Sequence, residues 1–454
     1  MQNNQHILNV ILFFAVTICI VIGSIFYSSV LVFYFLGFIG TIILIKAGNK
    51  GNKQFVDTLT IFLANLFFGL LLALMVNLDF VQNGKTFRYP DQIDFFEQAI
   101  YLASNNSVSE VILAASVNYL EYNVAYGLFG VLGYFDRQLT GSVNFLPLLF
   151  SVVYITALIP VFLYHTLKLY VPRLALKGSL YYGLLTPIMA YSGYLLRDMH
   201  MALLFMIILF WMVRKVTILR VLGILAILPI IANLRLANSL LVLALLAIFI
   251  FSGKTSRFIR IASIIVGVGM LIYFTNEIVQ IVTATQERLE MYEEFTREQV
   301  EDSDGLGKQI NRLPPVIKET ATIFIGLTSF PFWGKPPANI DLPQFTMVLY
   351  STLTNIGWFF IIIGVFYFIK PIYIKVRKIP TKMLLYLILL FALYMVMNVN
   401  NMNLRRIIYV FPFVYIPFLM VYQDLTHKQK KTYKQVTFSF GLFLTITYMI
   451  LLMR

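Results

Sequence analysis

Residues 55–80 read FVDTLTIFLANLFFGLLLALMVNLDF, and this stretch decides the fold. Its ionisable side chains, Asp57 and Asp79, stand near its two ends. At about 1.5 Å per residue, a helix of this length reaches past the roughly 30 Å of hydrocarbon in a bilayer. Apolar runs of this kind recur from Ile7 to the C-terminus. The 454-residue chain is 59% hydrophobic and 12% charged, against roughly a quarter charged in an average soluble domain. A single core stops growing at about 250–300 residues, and so little charge would leave even a two-domain globule too apolar to stay dispersed. A water-soluble globule is excluded. The expectation is an all-α, polytopic helical membrane protein in which residues 1–454 form a single integral membrane domain.

One cysteine, Cys19, lies inside the first apolar run, which excludes a disulfide framework or CxxC chemistry within one chain. The histidines His6, His165, His200 and His427 show no HxxxH or HExxH spacing. No His- or Cys-based metal centre is expected, although carboxylates could still hold Mg²⁺ or Mn²⁺. The opening MQNNQH lacks the basic region of a signal peptide, and no small-residue cleavage signal follows it, so no processing is expected.

The apolar pattern predicts about 13 spans, near 7–26, 28–46, 55–80, 143–168, 174–195, 199–213, 216–233, 236–252, 261–275, 344–369, 383–398, 407–423 and 436–453. The first two could also form one long kinked element, broken only at Ser28 and Ser29. The net charge of +14 is not spread evenly. Alternate connections hold 21 of the 35 basic residues, including Lys46, Lys50 and Lys53, Arg214, Lys215 and Arg220, and the runs 370–382 and 428–434. Only Asp57 and Asp424 are acidic on that side, a balance of +19 against −5 on the other. The positive-inside rule makes the basic set cytoplasmic, with the N-terminus inside and the C-terminus outside. The basic surplus therefore reports orientation in a lipid bilayer and calls for no nucleic acid. The cytoplasmic connections are short, whereas the outer face carries two long loops, 81–142 and 276–343. Chemistry is expected there.

The first outer loop contains Arg88-Tyr89-Pro90-Asp91-Gln92-Ile93-Asp94, in which Pro90 and Asp91 read as a helix start. Asp91 and Asp94, three apart, would share one helix face, with Ile93, Phe96 and Ile100 on an opposing stripe suited to the interface. Paired carboxylates suit a general base or a metal ligand, and equally the stabilisation of a helix N-terminus. Arg197, Asp198 and His200 stand at an outer helix junction, where Arg197 and His200 would share a face. Asn233-Leu234-Arg235 repeats the pattern one hairpin later, and Asn403-Leu404-Arg405-Arg406 gives it again. Guanidinium suits bidentate recognition of phosphate, so convergence of these arginines would make an outward-facing phosphate or pyrophosphate site. The bland alternative is a set of snorkelling interfacial anchors. In the second loop, an acidic stretch from Glu277 to Asp304 reads as a solvated helix. The segment Phe330-Pro331-Phe332-Trp333 reads as an interfacial belt or a platform for sugar rings.

Together, the Asp-bearing first loop, Leu195-Leu196-Arg197-Asp198, Asn233-Leu234-Arg235, Phe330 to Trp333, and Asn403 to Arg406 followed by Tyr409 and Pro412 resemble bacterial membrane proteins of polysaccharide gene clusters. They are similar to GT-C-type glycosyltransferases and to the EpsG-like and O-antigen polymerase families, over about residues 85–420. The resemblance implies a glycosyltransferase of the bacterial plasma membrane that uses polyprenyl-(pyro)phosphate-linked sugars on the outer face in O-antigen, capsule or exopolysaccharide synthesis. It implies Asp91 as base, with Asp94 second. Arg88, Arg197, Asp198, His200, Arg235, Arg405 and Arg406 would line the lipid-phosphate site, and Tyr89 and Trp333 would meet sugar. A polyprenyl-linked donor, a glycan acceptor and other polysaccharide-assembly proteins are the implied partners.

The competing expectation is a lipid-linked oligosaccharide flippase. Transporters of that kind often carry internal repeats and mid-membrane charges. No repeat stands out here, and the ionisable residues sit at helix ends.

Overall fold

The computed structural model describes residues 2–49, 51–84, 89, 91–118, 123–252, 261, 265, 268–269, 314–332, 341–377, 405 and 407–452. Among these the regular structure is helical, with no strand. Helices α1 (Gln2–Phe26), α2 (Ser29–Gly48) and α3 (Asn52–Asn83) follow the first apolar runs. The break near residue 28 is a true reversal. Phe13 of α1 meets Phe38 of α2 at 5.7 Å between ring centroids, so the pair is an antiparallel hairpin and not one kinked rod. Helix α3 stops at Gly84, which adopts φ +65° and donates its N–H to the Phe80 carbonyl at 2.8 Å. That left-handed cap is the conformation glycine adopts without strain.

The first long loop folds into three helices packed on one another, α4 (Asp91–Ala103), α5 (Val108–Asn118) and α6 (Asn123–Thr140). The face that α4 buries carries Gln92, Phe95, Ala99 and Leu102, whereas Ile100 is exposed. The stripe of Ile93, Phe96 and Ile100 lies beside that buried face, with Ile93 and Phe96 partly buried. The neighbouring α6 offers Phe129 and Tyr126 to Phe95, and aromatic packing rotates the helix toward it.

Next come α7 (Phe145–Tyr170), α8 (Ala175–Leu185), α9 (Pro187–Ser192), α10 (Asp198–Met212), α11 (Ile218–Leu234) and α12 (Leu236–Ser252). They are followed by α13 (Pro315–Thr328), α14 (Leu342–Tyr367), α15 (Ile369–Arg377), a 3₁₀ turn (Ile408–Val410), α16 (Phe411–Tyr422) and α17 (His427–Leu452). Helices α3 and α7 form the centre, with α1, α8, α10 and α14 packed around them. Close approach depends on missing side chains. A Cβ on Gly183 of α8 would overlap the Asn65 amide of α3, and one on Gly357 of α14 would overlap the Leu185 carbonyl. Small residues at helix crossings let backbones meet in this way where lipid supplies no hydrophobic drive.

Among the described residues, five helices are long and apolar enough to cross a membrane: Asn4–Phe26, Ser29–Gly48, Asn52–Asn83, Phe145–Tyr170 and Leu342–Tyr367. The 13 expected spans are not matched one to one. The run 174–195 is cut at Thr186-Pro187 into α8 and α9: Thr186 adopts an extended conformation, which a following proline favours, and Pro187 opens the next helix. Helices α10 and α11 have 15 and 17 residues. The expected span 383–398 and the acidic stretch 277–304 lie outside the described residues, as does most of 261–275. The apolar exterior still needs a solvent other than water. Ile25 is 78% exposed, Leu36 71% and Leu44 69%, on helices whose neighbouring outer positions are also apolar. Soluble monomers rarely expose contiguous apolar area beyond a few hundred Å². The protein is a helical, membrane-embedded one.

Side-chain contacts sort the helix ends into two sets. At one end, Ser29 of α2 and Asn144, ahead of α7, both bond Asp136 of α6. There too, Asn83 closing α3 lies 3.5 Å from Asp341, which caps α14 by accepting the Gln344 N–H at 2.8 Å. At the opposite end, Asp57 of α3 receives Gln5 of α1 at 3.1 Å and Tyr164 of α7 at 2.7 Å. There Arg214 reaches the His165 carbonyl, Gln423 reaches the Tyr170 carbonyl, and Lys375 pairs with Asp424. Along α1, α2, α3 and α7 consecutive helices therefore run antiparallel, and α14 starts at the same end as α7. The basic residues Lys46, Lys168, Arg214 and Lys375 stand at the second end.

Candidate functional site

The Asp136 end of the bundle holds the expected acidic and basic residues, and tertiary contacts select among them. The α8–α9 break leads into residues 193–197, which are not helical although Tyr194, Leu195 and Leu196 are fully buried. Buried irregular backbone needs a hydrogen-bond partner from elsewhere. Gln92, itself fully buried on α4, accepts the Leu195 N–H at 2.9 Å through its side-chain oxygen. This bond clamps the start of α4 to the start of α10. Asp91 and Asp198, the first residues of those two helices, are thereby brought to the same place.

Arg405 lies between them. Its Nη1 donates to Asp91 Oδ2 at 2.7 Å, and its Nε stands 3.3 Å from Asp198 Oδ2. The side chains of Arg405 and Asp198 are 16% and 5% exposed, whereas that of Asp91 is 39% exposed. The two halves of the triplet therefore differ in kind. A pair with a water-accessible carboxylate is worth about 0–1 kcal/mol. Removing one partner of a buried pair costs about 3–5 kcal/mol. Burial alone would lower the Arg405 pKa, but the fields of Asp198 and then Asp91, with the Asp91 hydrogen bond, outweigh it and raise it. The guanidinium stays charged.

Aromatic side chains wall the triplet. The Arg405 guanidinium sits 5.6 Å from the centroid of Tyr89, whose ring lies 5.5 Å from Tyr191 and 5.0 Å from Tyr194. Tyr89 adopts φ +59°, a region that costs a non-glycine residue on the order of 1–3 kcal/mol and is held only by its surroundings. Tyr89 and Tyr191 share a hydrogen bond, and Arg405 and Asp198 act electrostatically on Tyr191. On the other flank, Tyr409 donates to Asn238 Oδ1 at 3.1 Å and is hydrogen-bonded by Arg235, within the field of Asp198. Asp91, Asp198, Arg235, Arg405 and Tyr89 thus belong to one connected cluster.

The other expected residues separate from it. Asp94 is exposed and accepts the Tyr126 hydroxyl at 2.7 Å, so it ties α4 to α6 and does not share the partner of Asp91. His200 is buried edge-on to Phe129, with ring centroids 5.5 Å apart. Arg197 stands just ahead of α10 and is partly buried. Its backbone is helical, φ −67° and ψ −19°, and its carbonyl accepts the Met201 N–H at 3.2 Å, so Arg197 and His200 stand one turn apart at the start of α10. Arg88, Trp333 and Arg406 lie outside the described residues. Phe330 and Phe332 are buried with Phe359 and Ile363 in a separate apolar cluster, against a groove lined by Phe324, Leu444 and Tyr448 that shares no residue with the charged one.

Sequence reasoning missed Gln92 and Tyr191. Gln92 sits beside Asp91, and Tyr191 lies just before Leu195 to Asp198, but neither residue type announces a partner more than a hundred positions away. Among the described residues, no group of three or more His, Cys, Asp or Glu is placed to hold a metal ion. Asp91 and Asp198 both turn carboxylate oxygens to Arg405, so a divalent cation at those oxygens would have to displace the guanidinium.

The cluster gathers two carboxylates, two guanidinium groups and phenolic hydroxyls, with Arg405 and Asp198 largely buried and Asp91 more open. It can hold an anion, and it can accept a proton. No family model, curated protein or solved structure matches the chain.

Proposed function

We propose that this protein is a membrane glycosyltransferase or polymerase that uses polyprenyl-(pyro)phosphate-linked sugars on the outer face of the bacterial plasma membrane, in surface polysaccharide synthesis. The observation that carries this reading is the Arg405 guanidinium held between Asp91 and Asp198, with Arg235 joined to the same cluster through Tyr409. Glycosyl transfer from a phosphate leaving group needs one centre for developing negative charge and another for a proton. In the reaction, an acceptor hydroxyl oxygen attacks the anomeric carbon, and the bond from that carbon to the phosphate oxygen breaks. The electron pair stays on the phosphate, where Arg235 and Arg405 stabilise it. The hydroxyl proton passes to Asp91, the carboxylate of the cluster most open to incoming groups. Asp198 does not touch phosphate, which it would repel, but anchors Arg405 from behind.

The positive-inside assignment places the Asp136 end of the bundle outside, with the N-terminus cytoplasmic and the C-terminus external. Exposed apolar flanks support this reading, since a cluster at the end of such helices would meet a polyprenyl phosphate whose chain lies in the membrane and whose phosphate lies at its surface. The test is chain extension of lipid-linked repeat units in cells carrying Asp91→Asn or Arg235→Ala. Both variants should insert at normal levels and fail to extend the glycan. Full activity in both refutes the assignment, and accumulation of lipid-linked units in the cytoplasmic leaflet would favour a flippase.

A further inference from the structure

The geometry points to an anion-exchange device in this site: an incoming phosphate ester displaces Asp91 from Arg405, so that the base is released only when the donor is bound. The inference rests on the reading of the site as a phosphate-binding centre, and adds how its base is controlled.

The argument is the asymmetry of the triplet. Arg405 carries two carboxylates on different nitrogens, Asp91 on Nη1 and Asp198 on Nε. Asp198 is 5% exposed and starts the apolar helix α10, whose first turn it favours as an acidic residue. It has no water to retreat into. Asp91 is 39% exposed, so its carboxylate exchanges the guanidinium for solvent at little loss. Any anion that reaches Arg405 from the open side meets Asp91 as its competitor and Asp198 as the fixed backing. A phosphate oxygen takes the fork nitrogen better than a single carboxylate oxygen does, because the guanidinium plane matches it at two points. Once displaced, Asp91 has both oxygens free for an acceptor hydroxyl. While Asp91 is paired, its Oδ2 accepts the Nη1 hydrogen bond and that oxygen is turned to the guanidinium and away from an acceptor hydroxyl. Tyr89, 5.6 Å from the guanidinium and constrained at positive φ, restricts the direction from which the anion can enter.

The experiment measures binding of inorganic phosphate and of geranylgeranyl phosphate to the purified full-length protein in nanodiscs by calorimetry. Removing the competitor should strengthen binding, so Asp91→Asn is expected to lower the Kd for both probes by about two- to fivefold. Arg405→Gln should abolish binding. A gain of affinity cannot come from misfolding, which keeps the Asp91→Asn arm decisive even if Arg405→Gln is unstable. Tighter binding of the lipid ester than of inorganic phosphate assigns the site to a lipid-borne headgroup, and equal binding assigns it to a free anion. In either case, exchange stands only if Asp91→Asn binds more tightly. Binding that needs Arg405 but is unchanged or weakened in Asp91→Asn overturns the exchange and leaves the phosphate site intact. Absence of phosphate binding in the wild type and both variants overturns both.

Discussion

The side-chain oxygen of Gln92 accepts the backbone N–H of Leu195 across 103 residues of chain, and both groups are fully buried. This bond fixes the distance between the starts of α4 and α10, and so between Asp91 and Asp198. The acid–base cluster inherits its geometry from a neutral amide.

Gln92→Leu would leave a buried donor unpaired, at a cost of about 1–3 kcal/mol. The variant should unfold at a lower temperature in detergent and lose glycan extension, although it alters no charge. An unfolding temperature equal to that of the wild type would show that the clamp carries no strain-bearing role.

The two carboxylates on Arg405 should respond unequally to truncation. Asp198→Ala leaves the guanidinium buried without its backing and should cost about 3–5 kcal/mol. Asp91→Ala removes an exposed partner and should cost about 1 kcal/mol or less. Chemical denaturation of the two purified variants reads the difference directly, and equal losses would contradict the burial asymmetry.

Asp136 makes a prediction about pH. Burial raises its carboxyl above the usual carboxylate range, outweighing the hydrogen bonds from Ser29, Asn144 and Thr140 that work the other way. A raised acid is favoured by the fold in its protonated form. Its contribution is therefore fully present below the unfolded carboxylate value of about 4, and is lost as pH climbs through the higher folded value. Asp136→Asn cannot titrate and should flatten that decline. Unfolding temperatures of both proteins from about pH 4 to about pH 8 test it, and parallel curves would rule it out.

The orientation can be read with a thiol reagent. Cys19, the single native cysteine, is 2% exposed, so a cysteine placed at an exposed position is the accessible one. A membrane-impermeant maleimide should modify Asn106→Cys in intact cells. Arg377→Cys should react only after permeabilisation, and labelling of Arg377→Cys from outside would invert the topology.

The path from residues to structure was short for some features and long for others. The 26 residues from Phe55 to Phe80 fall within one uninterrupted helix, because transfer of apolar side chains and the internal pairing of backbone groups are both local quantities. The run 174–195 looks similar as a string, yet Pro187 divides it and residues 193–197 leave the helix. The proline alone was not the signal, since Pro160 and Pro229 lie inside unbroken helices; the irregular stretch beyond α9 depends on Gln92, which satisfies the buried Leu195 N–H. Convergence of the arginines was an expectation drawn from their positions at helix ends, and the place of Asp91 and Asp198 beside them one implied by the resemblance. The separation of Asp94 toward Tyr126 was not, since a spacing of three defines neighbours on a helix but not what each neighbour faces.

By itself, the amino-acid sequence determined that lipid is the solvent, that the chain is helical, and that basic and acidic connections alternate. Each of these follows from sums over nearby residues, in which the identity of a distant partner does not enter. Only the tertiary structure decided that Arg405 meets Asp91 across 314 residues, that Asp198 stands behind it, and that Arg235 joins through Tyr409. Those pairings depend on which helix ends come together and how far each helix is rotated. Rotation is set by packing such as Phe95 against Phe129 and Gly357 against Leu185, where shape at contact distance, and not composition, makes the choice.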